Sequence, residues 1–115
     1  MDKELLNILK AIADESRLRI LCLLQKKELC VCEMENIMNA EQSNISRHLG
    51  KLKDRGLINS NKKGQFVFHS IDPEIIDKYP FITSILEKAL ASGKYNSDAE
   101  KMKNLMKDGG LMCKR

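Results

Sequence analysis

The sequence has no tryptophan, two tyrosines and three phenylalanines, so aromatic residues fill only 4% of its 115 positions. Readers of single-stranded RNA stack bases on exposed aromatic faces, and this chain has little from which to build such a platform. No apolar run approaches the ~20 residues that span a bilayer. Met1-Asp2-Lys3-Glu4 does not open like a signal peptide, so a cytoplasmic protein with no membrane partner is expected. Histidine occurs only at His48 and His69, and neither is accompanied by ligands at metal-binding spacing, so both are expected to be packing or hydrogen-bonding residues. There is no Cys-x-x-Cys and no phosphate-binding loop, which argues against a small thiol enzyme. No internal repeat or low-complexity stretch occurs.

What remains is an ordinary globular composition, 43% hydrophobic and 31% charged, in a chain long enough for one domain with a modest core. Leu5, Ile8, Leu9 and Ile12 recur at helical spacing and predict a helix over 3–13. Asp14 is placed to cap a second helix, Glu15–Lys26, whose interior is apolar nearly all round and therefore central. A short third helix is expected over Val31–Asn39, with Met34, Ile37 and Met38 inward. Ser43 stands where an N-cap belongs, ahead of a helix over Asn44–Arg55 that Gly56 stops. The period then changes to that of strands at Leu57–Asn61 and Phe66–Ile71, joined by a hairpin at Lys62-Lys63-Gly64-Gln65.

Pro73 opens a further helix that Pro80 kinks or restarts and Ser92-Gly93 ends. Ser97-Asp98-Ala99-Glu100 has capping-box spacing for a last helix running to Gly109-Gly110. The expected fold is mostly α with a β-hairpin wing. Residues 1–92 form a winged helix-turn-helix DNA-binding and dimerisation domain, and 93–115 a C-terminal helix with a cysteine-bearing tail. The first and penultimate helices carry more apolar residues than so small a core absorbs, which predicts a homodimer built on the N-terminal and C-terminal helices.

The net charge of +4 is unevenly spread, with six Lys/Arg against Asp54 alone between Gln42 and Ile71, so the rest of the chain is close to neutral. Such a basic segment predicts a polyanion partner. With Ile45, Leu49 and Leu52 inward, the helix after the turn at Ala40-Glu41-Gln42 directs Gln42, Ser43, Asn44, Ser46, Arg47 and Lys51 outward. Short polar residues in the first turn suit base edges in the major groove, and the cations behind them suit phosphates. Lys62 and Lys63 at the hairpin suit backbone phosphates or the adjoining minor groove. The expected partner is double-stranded operator DNA, bound without any cofactor.

These residues resemble a known family. Gln42-Ser43-Asn44-Ile45-Ser46-Arg47-His48-Leu49, Leu52-Lys53, Gly56-Leu57-Ile58 and Ser16-Arg17-Leu18-Arg19-Ile20-Leu21 look like the corresponding stretches of ArsR-type winged-helix repressors. The resemblance covers residues 4–72, with only a long dimerisation helix matching beyond.

Cysteines occur at Cys22, Cys30, Cys32 and Cys113, expected as thiols in a cytoplasmic chain. Cys30 and Cys32 flank Val31 at a helix start, where both cannot face inward, and where terminal amides are expected to favour the thiolate that binds soft metals. Glu28-Leu29-Cys30-Val31-Cys32-Glu33 resembles the ligand motif of the family's arsenic and antimony sensors. There, arsenite held by thiolates distorts the helix beneath the recognition helix and releases the operator. The resemblance thus implies Cys30 and Cys32 as ligands and arsenite or antimonite as inducer. Where the family often has a third cysteine this chain has Glu35, so the third donor is expected from Cys113, with Cys22 a buried core residue. Cadmium, lead or zinc are alternative inducers. Family members of that kind recruit cysteines near the N-terminus, and none precedes Cys22; the zinc pattern needs histidine on the dimerisation helix, and none follows His69. Oxidation of Cys30, Cys32 or Cys113 is a further alternative.

Overall fold

The computed structural model describes residues 3–91 and 93–107. Helix α1, Lys3–Ile12, buries Ile8, Ala11 and Ile12 along one stripe. Its other apolar face stays open, with Leu6 and Leu9 38–39% exposed. Helix α2, Glu15–Lys26, starts where expected because the Asp14 side chain accepts from the Arg17 amide at 3.1 Å. Its run from Ile20 to Leu24 is buried throughout, which makes it the central helix.

Strand β1, Leu29–Cys30, is a two-residue element too short to leave a pattern in the sequence. Helix α3, Val31–Met38, follows it directly, with Met34, Ile37 and Met38 inward as expected. Asn39 ends α3 in the left-handed conformation at φ 52°, which a short polar side chain tolerates. Helix α4, Gln42–Asp54, begins two residues earlier than expected: Glu41 is the N-cap and Ser43 lies inside the first turn. Gly56, at φ +73°, then reverses the chain with its amide on the Lys53 carbonyl.

Strands β2, Ile58–Lys63, and β3, Phe66–Ile71, pair antiparallel from Ile58↔Ile71 to Lys63↔Phe66. The turn is therefore Gly64-Gln65 alone, and Lys62 and Lys63 lie in the strand rather than at the tip. Strand β1 adds to the other edge of β3, giving the sheet order β1-β3-β2.

Asp72 caps helix α5, Pro73–Lys78, by accepting from the Glu74 amide at 2.9 Å. Pro80 restarts the chain as helix α6, Phe81–Leu90. Ile82 and Leu86 of α6 are fully buried within the chain, so this helix feeds the core before any partner is considered. Tyr79 Oη donates to Glu4 Oε1 at 2.7 Å and Lys78 Nζ reaches the same oxygen at 2.6 Å, tying α5 to α1.

Helix α7, Gly93–Lys107, corrects the capping box expected at Ser97–Glu100, since both residues are interior to it. Asp98 instead turns inward, only 6% of its side chain exposed, and accepts from Arg19 Nε at 2.7 Å and Nη2 at 2.9 Å. Nη2 also reaches the Met38 carbonyl at 3.3 Å. One guanidinium thus joins α2, the end of α3 and α7. Among the described residues no helix is long and apolar enough to cross a membrane.

Candidate nucleic-acid interface and thiol site

Packing of α4 against the core decides which of its side chains are available. Ile45, His48, Leu49 and Leu52 are buried. Gln42, Ser43, Asn44, Ser46, Arg47 and Lys51 are all exposed, as the sequence predicts. Arg47 Nη2 donates to Asn44 Oδ1 at 3.2 Å, which links the cation and the amide on the exposed face of α4. His48 packs as expected: its Nδ1 lies 3.3 Å from Arg17 Nη1 and 4.0 Å from Asp14 Oδ1. Burial lowers its pKa despite the Asp14 carboxylate, so it is neutral at pH 7. His69 is also structural, with Nδ1 3.0 Å from Ser60 Oγ across the wing.

The wing presents Lys62 and Lys63 on exposed β2 positions. Lys63 is held by Glu28 and lies 5.3 Å over the Phe68 ring. Sequence reasoning missed the Glu28–Lys63 pair, because 35 positions separate its members.

Glu28 precedes the thiol pair. Cys30 is the second residue of β1, in register with Phe68, and also the N-cap of α3. Its amide donates to Glu33 Oε1 at 3.0 Å, closing a capping box. The thiol is 5% exposed, and its pKa is raised. Burial outweighs the Glu33 and Cys32 amides that act in the other direction, and the Glu33 carboxylate adds to the rise. This corrects the expectation that the helix terminus favours the Cys30 thiolate. Cys32, the second residue of α3, is half-buried and disulfide-bonded, whereas Cys22 and Cys30 are free. The expectation of four thiols therefore fails at Cys32. Cys113, the expected third donor, lies outside the described residues, as do Gly109 and Gly110. Among the described residues no three His, Cys, Asp or Glu side chains cluster to hold a metal.

Cys22 is the core residue expected, 0% exposed, its Sγ 3.9 Å from the Leu86 carbonyl. Burial pushes its thiol up to about 11. The folded state thus holds this proton more tightly than the unfolded chain. Its stabilising contribution is complete below the ordinary thiol pKa and fades as pH rises through 9 to 11. Wild type should lose up to roughly 2–3 kcal/mol more than Cys22→Ala over that window. Paired urea titrations at each pH measure the difference, and parallel stability curves for the two proteins would refute the assignment.

Comparison with known proteins agrees with this arrangement. Residues 14–60 match the model of the family described as bacterial regulatory protein, arsR family. That segment runs from the cap of α2 into β2. The chain is 38% identical over 69 residues to the arsenic resistance transcriptional regulator ArsR1 of Pseudomonas putida, covering 59% of this chain and 54% of that protein. It is 41% identical over 63 residues to the cadmium resistance transcriptional regulatory protein CadC of Listeria innocua, covering 54% of this chain and 53% of that one. The match thus spans about half the length of these curated relatives. The solved structure of HlyU from Vibrio cholerae superposes with a TM-score of 0.65 at 34% identity, over 79% of this chain and 96% of that chain. Helix-turn-helix, wing and sequence thus agree: residues 14–60 carry the sequence pattern of the arsR family of bacterial regulatory proteins, within a fold shared with HlyU.

Proposed function

We propose that this protein is a homodimeric repressor that binds double-stranded operator DNA and leaves it when Cys30 and Cys32 bind arsenite or antimonite. The observation that carries the DNA reading is the division of α4: its buried stripe is anchored in the core, and its polar face, from Gln42 to Lys51, lies open beside the Lys62 and Lys63 wing. Gln42, Ser43, Asn44 and Ser46 read base edges, and Arg47, Lys51, Lys62 and Lys63 hold phosphates. The exposed Leu6 and Leu9 of α1 support the dimer, since an apolar face on a C-terminal or N-terminal helix is covered most simply by its symmetry mate.

The sensing reading rests on where the thiols stand. Cys30 belongs at once to the sheet and to the first turn of α3, so a metalloid bridging it to Cys32 pulls on the helix that supports α4. Cys113 supplies the third thiolate. The inducer acts on the reduced protein. The disulfide at Cys32 favours a second reading, release on thiol oxidation. Relatives named for arsenic and for cadmium leave metal choice to experiment.

The test is fluorescence anisotropy of an operator duplex on pure reduced protein, challenged in turn with arsenite, antimonite, cadmium, lead, zinc and peroxide. Release by arsenite or antimonite at the lowest concentration is expected. Release by cadmium or peroxide alone would replace the inducer while keeping the DNA reading. In the same assay Lys62→Ala/Lys63→Ala should weaken binding to every sequence and flatten its salt dependence, by a log–log slope of about 0.9 for each phosphate no longer engaged. Asn44→Ala should instead narrow the gap between operator and random duplex, by about 1–3 kcal/mol. Identical behaviour of the two variants would refute the division into base readers and phosphate clamps.

A further inference from the structure

Beyond the reading face of α4 lies a second cationic site. Lys10 of α1, Arg17 of α2, and Lys51, Asp54 and Arg55 at the end of α4 line a hollow of about 380 Å³. Four cations there face one lining carboxylate. Lys10, Lys51 and Arg55 are exposed and form no ion pair among the described residues. Arg17 is the fixed member: its Nε donates to the Ala11 carbonyl at 2.7 Å, and its side chain is 13% exposed. The Asp14 carboxylate, 3.8 Å from Arg17 Nη1, is shared with the amide it caps. The neighbouring His48 is neutral, so it adds no further positive charge to the group.

The place of this hollow selects its ligand. Asn44, Arg47, Lys51 and Arg55 recur at i, i+3, i+7 and i+11, one stripe along α4. At 1.5 Å per residue, Arg55 stands about 16 Å beyond Asn44. The major groove is only ~12 Å wide, so a helix whose first turn meets base edges carries its last turn out to the groove wall, where phosphate is what the duplex offers. The end of α4 is also the negative pole of its dipole and has no free amides for an anion. A phosphate there must be held by side chains, and those are what the hollow supplies.

We propose that this α1–α4 hollow is a second phosphate site for the bound duplex, in which Lys10, Arg17 and Arg55 extend the contact from the recognition helix onto α1. The inference rests on the DNA-binding reading above and adds residues that the helix-turn-helix and wing do not include. It makes the ligand a DNA phosphodiester, not a free anion.

The experiment compares wild type with Lys10→Ala/Arg55→Ala, both exposed positions, on operator and on random duplex over a range of salt. Affinity for both duplexes should fall about tenfold at physiological salt, with the operator-to-random ratio unchanged. The log–log salt slope should shrink by about 2 for the two hollows of a dimer. The charge-keeping variant Lys10→Arg/Arg55→Lys should restore most of the affinity. A double-alanine variant that matches wild type in affinity and slope, while wild type binds the duplex, overturns this site and leaves the DNA reading standing. Failure of wild type to bind any duplex removes both. Inorganic phosphate alone is the control for a free anion: if the double-alanine variant loses phosphate binding but keeps full duplex affinity, the hollow is a small-anion site and the proposal is wrong.

Discussion

Cys30→Ser and Cys32→Ser should each abolish arsenite-driven release while leaving operator affinity within about twofold of wild type, since substitutions off the contact face cost near 0.5 kcal/mol. The geometry makes this a clean separation. Neither sulfur lies on the exposed face of α4 or on the outer part of the wing. Serine also suits the site of Cys30, because this residue is the N-cap of α3, where a side-chain oxygen is among the best acceptors for the Glu33 amide. The capping box should therefore survive the removal of sulfur, and thermal melts should change little. Removing one of so few thiolates should shift the arsenite midpoint beyond the 10–100-fold typical when a group that merely supports a metal ligand is replaced. Anisotropy titrations in reductant, with and without arsenite, provide both readouts. Variants that fold but no longer bind DNA would make the pair structural; variants that still respond would place the ligands elsewhere. Cys113→Ser should give the intermediate result, a weakened response, because a soft pyramidal centre gains from a third sulfur.

Asp98→Ala should produce the largest loss of stability of any single charged-residue substitution, about 2–4 kcal/mol. The carboxylate is 6% exposed and receives both Nε and Nη2 of Arg19, whose side chain is 16% exposed. Deleting it leaves a largely buried guanidinium with the Met38 carbonyl as its one remaining hydrogen-bond partner among the described residues. The partial exposure of Arg19 places the cost below that of a fully enclosed pair. For a domain with about 5–15 kcal/mol of total stability this is a large share. Arg19→Met/Asp98→Leu should recover most of it, since a well-packed apolar pair avoids the desolvation cost of two charges. Urea titrations should show the midpoint falling at constant slope in the single variant and returning in the double. A loss below about 1 kcal/mol would reduce the pair to an ordinary surface bridge.

The legibility of this chain divides along the range of the forces involved. Local signals sufficed for the boundaries of α2, the burial of Ile45, Leu49 and Leu52, the stop at Gly56 and the exposed polar face of α4, because capping and helical periodicity act within a few residues. They also sufficed to mark His48 and His69 as packing and hydrogen-bonding residues.

What the sequence did not determine arose from contacts between distant positions. Ser97 and Glu100 have the local spacing of a capping box, yet α7 begins earlier, at Gly93, and the carboxylate of Asp98 between them is taken by Arg19, 79 positions away. Strand β1 exists only because β3 offers a free edge beside Leu29 and Cys30. The Cys30 thiol was expected to ionise readily from its helix terminus, a local effect, but burial by neighbours remote in sequence overrides it. Lys10 and Arg55 lie far apart in sequence, and only the packing that brings α1 to the end of α4 sets them around one hollow. The amino-acid order alone sets which residues each helix presents, through short-range geometry. Which of those residues share a cavity, a carboxylate or a sheet edge depends on long-range packing, and that only the tertiary structure decides.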